Sequence, residues 1–310
     1  MSIIMGAGLS YSPLMYRPRS CWSAVSDHLV GEAVQPAARA DETGERLADY
    51  ETRIAAGFDK LASLIVEAKL DALVLLHADR GDVFDLSNTP QLHFQVGGEI
   101  WGDPALSPLG EPSSPAHFPC DEALGEFLSE ELVRRGFDIS EGRAQFRPLG
   151  DKGRGASPAL TEAAARLSGG LPIIPLHVNC HVEPVLPGRR LHSFGRALAQ
   201  SAALTGRRLG LLVSGGLSGN PGGAMAGWID DILDRWVLTR LERGQSRDVA
   251  QIWDVRSRTL QGNSAEMRLW TVAGAALEEA GCQARTLDYM PVHHGATGVG
   301  FMAWETTSCR

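Results

Sequence analysis

A chain of 310 residues, 44% apolar and 21% charged, has an ordinary globular composition and enough length for a large buried core. Its net charge of −8 implies no basic face, which argues against nucleic acid as a partner. No apolar run reaches the roughly 18 residues of a membrane span, no basic-then-apolar leader opens the sequence, and five scattered cysteines suit reduced thiols, so a cytoplasmic protein without a membrane partner is expected.

In chain order, residues 2–6 form a short strand candidate. Residues 43–70 predict a long amphipathic helix, because Leu47, Tyr50, Ile54, Phe58, Leu61 and Ile65 recur at three- and four-residue steps. The continuous apolar run 72–77 suits a strand buried on both faces, as do 171–179 and 208–213. Between the last two, 191–204 reads as a helix. Residues 101–119, with Pro104, Pro108, Pro112, Pro115 and Pro119, read as a long surface loop. A helix is expected over 121–135, a Gly-rich basic segment over 141–158, and two closing helices near 222–243 and 264–280. Trp228 and Trp236 would then share one helix face. Alternating strands and helices at this spacing predict an α/β fold, with a central, mostly parallel sheet flanked by helices. No domain boundary stands out, and residues 1–310 are expected to form one domain.

Four segments carry a resemblance. Gly8-Leu9-Ser10-Tyr11-Ser12-Pro13-Leu14 follows the first apolar run. Asp79-Arg80-Gly81-Asp82 follows the strand at 72–77. Asp151-Lys152-Gly153 lies in the Gly-rich loop, and Ser214-Gly215-Gly216-Leu217-Ser218-Gly219-Asn220-Pro221 follows the run at 208–213. With Ser264-Ala265-Glu266-Met267-Arg268-Leu269-Trp270, they resemble the class III (LigB-type) extradiol ring-cleavage dioxygenases, nearest to the 2,3-dihydroxyphenylpropionate dioxygenase branch. The resemblance implies a LigB-like fold, a homo-oligomer and aromatic-compound chemistry. It also implies an iron site of two His and one Glu. Here Tyr11 and Arg80 stand in the two His places and Asp82 in the place of an Asn. Lys152 stands in the place of an acid/base His and Gly219 in that of a further active-site His. Glu266 alone keeps its place.

Neither arginine nor glycine can ligate iron through its side chain, and a fixed cation at Arg80 opposes metal binding and favours an anion. No metal and no cofactor are therefore expected. The substituted set reads as a metal-independent acid/base site for hydrolysis, C–C cleavage, decarboxylation or isomerisation of a small anionic, aromatic-derived or cyclic substrate. Tyr11, Lys152 and Glu266 would be catalytic. Tyr11 would be acid or base, its pKa lowered by a nearby cation. Arg80, Asp82, His77, Ser218 and Gly219 would line the substrate. Other readings stay open: an inert Arg80–Glu266 salt bridge, a non-catalytic subunit or binding protein beside a paralogous active chain, and an iron dioxygenase with rearranged ligands. His177, His181, His293 and His294 read as ordinary strand-end or surface histidines.

Overall fold

The computed structural model describes residues 3–102, 115–144 and 155–306. Ten strands occur among them: β1 (Ile3–Leu9), β2 (Ala72–His77), β3 (Leu92–Gln95), β4 (Glu99–Gly102), β5 (Ala116–Pro119), β6 (Ser140–Gly142), β7 (Ile173–Val178), β8 (Leu209–Ser214), β9 (Cys282–Val292) and β10 (Thr297–Thr306). The helices are α1 (Trp22–Val30), α2 (Ala37–Ala40), α3 (Gly44–Glu67), α4 (Glu122–Arg134), α5 (Pro158–Leu167), α6 (Gly188–Ala203), α7 (Asp231–Glu242), α8 (Ser246–Ala250) and α9 (Met267–Glu279).

Eight strands make one sheet in the order β6-β3-β7-β2-β8-β1-β10-β9. Its centre, β7-β2-β8-β1, is parallel. β10 runs antiparallel to β1 and to β9, and β3 runs antiparallel to β7. The expected α/β architecture with a mostly parallel central sheet is therefore present.

Helices cover both faces, which is why the central strands are apolar on both sides. Along β2, Ala72, Val74 and Leu76 pack with α4, α6, α7 and α9. Leu73 and Leu75 pack with α1, α3 and α5. The predicted stripe on α3 is the buried one, with Tyr50, Ile54, Phe58, Leu61 and Ile65 inside. Each such Leu or Phe contributes about 2 kcal/mol relative to exposure.

Glycine makes β1 thin enough for close packing. A Cβ at Gly8 would meet the rings of Trp304 and Trp270 at 2.9 and 3.0 Å. Those two indoles are fully buried, with centroids 6.3 Å apart.

Several expectations need adjustment. The ends of the Pro-rich stretch are strands, since β4 and β5 pair as a separate two-stranded antiparallel sheet. The helix expected from 222 begins at Asp231, where Asp230 accepts from the Leu233 N–H as N-cap, so Trp228 precedes the helix that carries Trp236. Helices α1 and α5, strand β3 and the β9–β10 hairpin were not anticipated. Among the described residues, no helix is long and apolar enough to cross a membrane.

Candidate functional site

The candidate site lies beyond the carboxyl ends of β1, β2, β7 and β8, the end of an open α/β sheet where ligands bind. At its centre is Glu266, fully buried in the short 3₁₀ turn that leads into α9. Its Oε1 accepts from Arg80 Nε at 2.8 Å and from His181 Nε2 at 2.9 Å. Its Oε2 accepts from the Gly216 N–H at 2.7 Å. Burial alone would raise this carboxyl's pKa. The Arg80 charge and the hydrogen bonds from His181 and Arg80 override it and hold the group well below the usual carboxylate range.

Small residues let the pieces meet. A Cβ at Gly215 would strike Leu269, and one at Gly216 would sit 2.7 Å from the Asn263 carbonyl. The Gly215 carbonyl accepts from Trp270 Nε1 at 2.8 Å, which ties the turn after β8 to α9.

Arg80 is placed by the turn after β2. The buried Asp79 carboxylate accepts from the N–H groups of Gly81, Asp82, Val83 and Phe84, which folds the loop around it. Arg80 then spans the cleft, giving Nη2 to Asn263 Oδ1 at 2.7 Å. Its side chain stays 35% exposed, so one edge of the guanidinium faces solvent. Asp82 is half-buried and adds negative charge near Arg80.

Tyr11 is brought in by clips on both sides. Ser10 Oγ accepts from the Gly300 N–H at 2.9 Å, and Ser12 Oγ donates to the Gly295 carbonyl at 3.1 Å. The Arg80 guanidinium carbon lies 5.9 Å from the Tyr11 ring centroid. The expectation that this cation lowers the Tyr11 pKa needs correction. Burial, and then the charge and hydrogen bond of Glu162, push it well above its ordinary value and outweigh Arg80. Tyr11 is thus a protonated hydroxyl that can donate, and it is a poor base. Glu162 is itself buried and ion-paired to Arg17 at 2.7 Å.

His181 sits opposite Arg80 on Glu266, 20% exposed. An ionised carboxylate only accepts, so the hydrogen belongs to Nε2, and the neutral ring carries its lone pair on Nδ1. Read from sequence as an ordinary histidine, His181 is the residue that the sequence reasoning missed.

Three expected ligand-lining residues are buried by their own contacts. Ser218 is fully buried, its hydroxyl donating to Asp234 Oδ2 at 2.8 Å and accepting from the Asp230 N–H at 2.9 Å. Gly219 is closed off, because a Cβ there would lie 2.2 Å from the Ala296 carbonyl oxygen. Its N–H goes to Ser264 Oγ at 3.0 Å. Backbone, rather than a side chain, fills the place where the resemblance put a histidine. His77 is buried in a row with His177 and His93, which are register partners across β2, β7 and β3. It borders a cavity of about 20 Å³ together with Asp79 and Ser157. Lys152 lies outside the described residues.

Would the iron site of the resemblance fit these residues? Arg80 occupies one ligand place as a fixed cation, and both Glu266 oxygens are engaged by donors. Among the described residues, no group of three His, Cys, Asp or Glu is arranged to hold a metal ion. The donor set does not fit iron.

Fold and site together define an α/β sheet protein with a buried, cation-bound carboxylate at its strand ends. Residues 166–302 match the family model for the catalytic LigB subunit of aromatic ring-opening dioxygenase. The chain is 24% identical over 249 residues to a 2,3-dihydroxyphenylpropionate/2,3-dihydroxicinnamic acid 1,2-dioxygenase of Azotobacter vinelandii, covering 65% of this chain and 76% of that one. It is 26% identical over 178 residues to a second such dioxygenase, of Dechloromonas aromatica, covering 56% of this chain and half of that one. An uncharacterized protein from Escherichia coli K12 has a crystal structure with TM-score 0.48 and 11% identity, covering 97% of this chain and 99% of that one. The family-model match and the two sequence matches make the chain similar to the LigB-type extradiol dioxygenases. The span matched to the family model holds His181, Gly216 and Glu266, whereas Tyr11 and Arg80 precede it.

Proposed function

We propose that the chain is a metal-independent acid/base enzyme on a LigB-type scaffold, acting on a small anionic aromatic-derived or cyclic substrate. One observation carries this reading. The carboxylate that would ligate iron is instead bound by Arg80 and His181 together. A buried carboxylate that orients an imidazole is the usual support of a general base.

Each group then has one task. Glu266 fixes the orientation and tautomer of the His181 ring. His181 Nδ1 takes the proton from substrate. Arg80 presents its open edge to a carboxylate or enolate oxygen. Tyr11, held protonated, is the acid or hydrogen-bond donor on the opposite side, and Lys152 is a further anion-binding group. Hydrolysis, C–C cleavage, decarboxylation and isomerisation all use such a set. The relatives are named for action on dihydroxyphenylpropionate, itself an aromatic acid, which supports an anionic aromatic-derived substrate here. The working form is a homo-oligomer in the cytoplasm.

A second reading is a non-catalytic binding subunit. The closed backbone at Gly219 favours it, because no side chain stands there to transfer a proton.

The two are separated by screening catechols and ring-cleavage products with chelator-treated protein. The enzyme reading expects turnover that survives chelation, falls by about 10²-fold or more in His181→Ala, and shows a raised KM in Arg80→Gln. Turnover lost on chelation, or unchanged in both variants, would falsify it. Saturable binding without turnover would favour the subunit.

A further inference from the structure

A second cleft, of about 520 Å³, opens where the segment after β7 meets the turns before α9. Three arginines line it: Arg256, Arg258 and Arg268. Other arginines of this protein hold carboxylates, as Arg53 holds Asp288 and Arg196 holds Glu279. Among the described residues, none of these three has a carboxylate within ion-pair distance.

Arg268 makes the strongest case. Its guanidinium carbon stacks 3.9 Å from the Trp253 ring centroid, and Nη1 donates to the Ala265 carbonyl at 3.2 Å. Its Nε is buried with no hydrogen-bond partner. A buried donor left unpaired costs about 1–3 kcal/mol, more for a charged group, unless a ligand completes it. Burial lowers its pKa, and the charges of Cys180 and Glu183 only partly offset this. Arg256 and Arg258 are exposed at the rim. The one acid in the lining, Glu183, has Oε2 occupied by the Val185 N–H at 3.1 Å. Leu186, Leu260 and Trp253 supply apolar wall between the charges.

We propose that this cleft is a binding site for a small organic dicarboxylate, distinct from the Arg80 site. Planar guanidinium forks match carboxylates two bonds at a time. The apolar wall between them suits a carbon skeleton, where a bare inorganic oxyanion would leave it uncovered. Its volume falls within the usual range for small-molecule sites. Its bordering segments also carry His181 and Glu266, so an occupant would brace the loops that build the candidate centre. Neither Arg80 nor Tyr11 lines it.

Calorimetric titration of the whole chain with isophthalate, and separately with inorganic phosphate, tests this assignment. Isophthalate should bind saturably, one per chain, and more tightly than phosphate. Charge reversal in Arg256→Glu/Arg258→Glu, at exposed positions that leave the fold intact, should weaken it about tenfold or more. Arg268→Lys, which keeps the charge and loses the fork, should weaken it about threefold or more. Arg80→Gln should leave it unchanged, so failure here is distinguishable from failure at the Arg80 site. Absence of saturable binding, equal affinity in the double variant, phosphate binding as tightly as isophthalate, or loss in Arg80→Gln would each overturn the proposal.

Discussion

Arg80 and Glu266 meet at 2.8 Å, a fixed cation on a fully buried carboxylate, in the place where the resemblance puts an iron ligand beside iron. The pair is asymmetric, since Arg80 keeps solvent on one side while Glu266 has none. Loss of the carboxylate charge should therefore cost more than its exposed-pair appearance suggests. Glu266→Gln keeps the shape but brings an amide NH₂ against donors. We expect a loss of about 2–4 kcal/mol in denaturant unfolding, discounted for the exposed side of Arg80. A change under about 0.5 kcal/mol would mean that the pair does not anchor the site.

Tyr11 gives a prediction in alkali. The sequence holds four tyrosines, and burial raises the pKa of each: Tyr11, Tyr16, Tyr50 and Tyr289. A group whose folded pKa lies above its unfolded value of 10.0 stabilises the fold until pH rises past that value. Phenolate absorbance should accordingly appear together with alkaline unfolding. A phenolate signal near the ordinary pKa in protein that is still folded by circular dichroism would contradict this.

The histidine row acts at the other end of the scale. Burial lowers His77 and His93 to about 4, and His177 is lowered too, by burial and then by its histidine neighbours. Folded protein thus binds fewer protons than unfolded protein between the ordinary value of 6.5 and about 4. Stability is complete above that window and falls as pH drops through it. For His77 and His93 the shift corresponds to on the order of 3 kcal/mol each, lost as pH falls through this window. In His77→Asn the slope should flatten, read as unfolding free energy at several pH values. An unchanged slope would show that His77 titrates alike in the folded and unfolded protein.

Asp234 slopes the other way. It accepts from the Ser218 N–H at 2.7 Å and from the Tyr289 hydroxyl at 2.8 Å, yet burial raises it to about 7. Its folded pKa exceeds the ordinary 3.8, so the contribution is largest at low pH and is lost as pH rises toward 7. Asp234→Asn should therefore cost less at pH 8 than at pH 4.5, by on the order of 3 kcal/mol. A cost independent of pH would place the charge outside the buried clamp.

Gly219→His tests whether the missing histidine can simply be put back. The Ala296 carbonyl stands 2.2 Å from the added Cβ, and backbone cannot yield as a flexible side chain can. We expect a loss of about 2 kcal/mol or more, measured by thermal unfolding, with no metal gained.

Much of the framework was legible in the sequence. The continuous apolar runs of β2 and β8, and the three-and-four spacing of α3, announce buried strands and a helix with one inner face. The β9–β10 hairpin was hidden because Thr297–Thr306 is buried almost throughout and rich in small residues, so it shows no alternation. Arg80 meets Glu266 at 2.8 Å and lies 5.9 Å from the Tyr11 ring centroid. Tyr11's protonation was not legible, since it depends on Glu162, a helix residue distant in sequence. His181 was missed for the same reason: its partner is 85 residues away, and no local spacing announces it. Gly219 looked like an empty ligand place because sequence does not show that the turn at Ala296 closes over it.

The most direct test of the central claim is anaerobic titration of the purified chain with Fe(II), read as metal bound per chain before and after Glu266→Ala. With Arg80 and His181 holding Glu266, no stoichiometric iron should bind at this carboxylate, and the variant should behave like the parent. One iron per chain, lost in Glu266→Ala, would contradict the account.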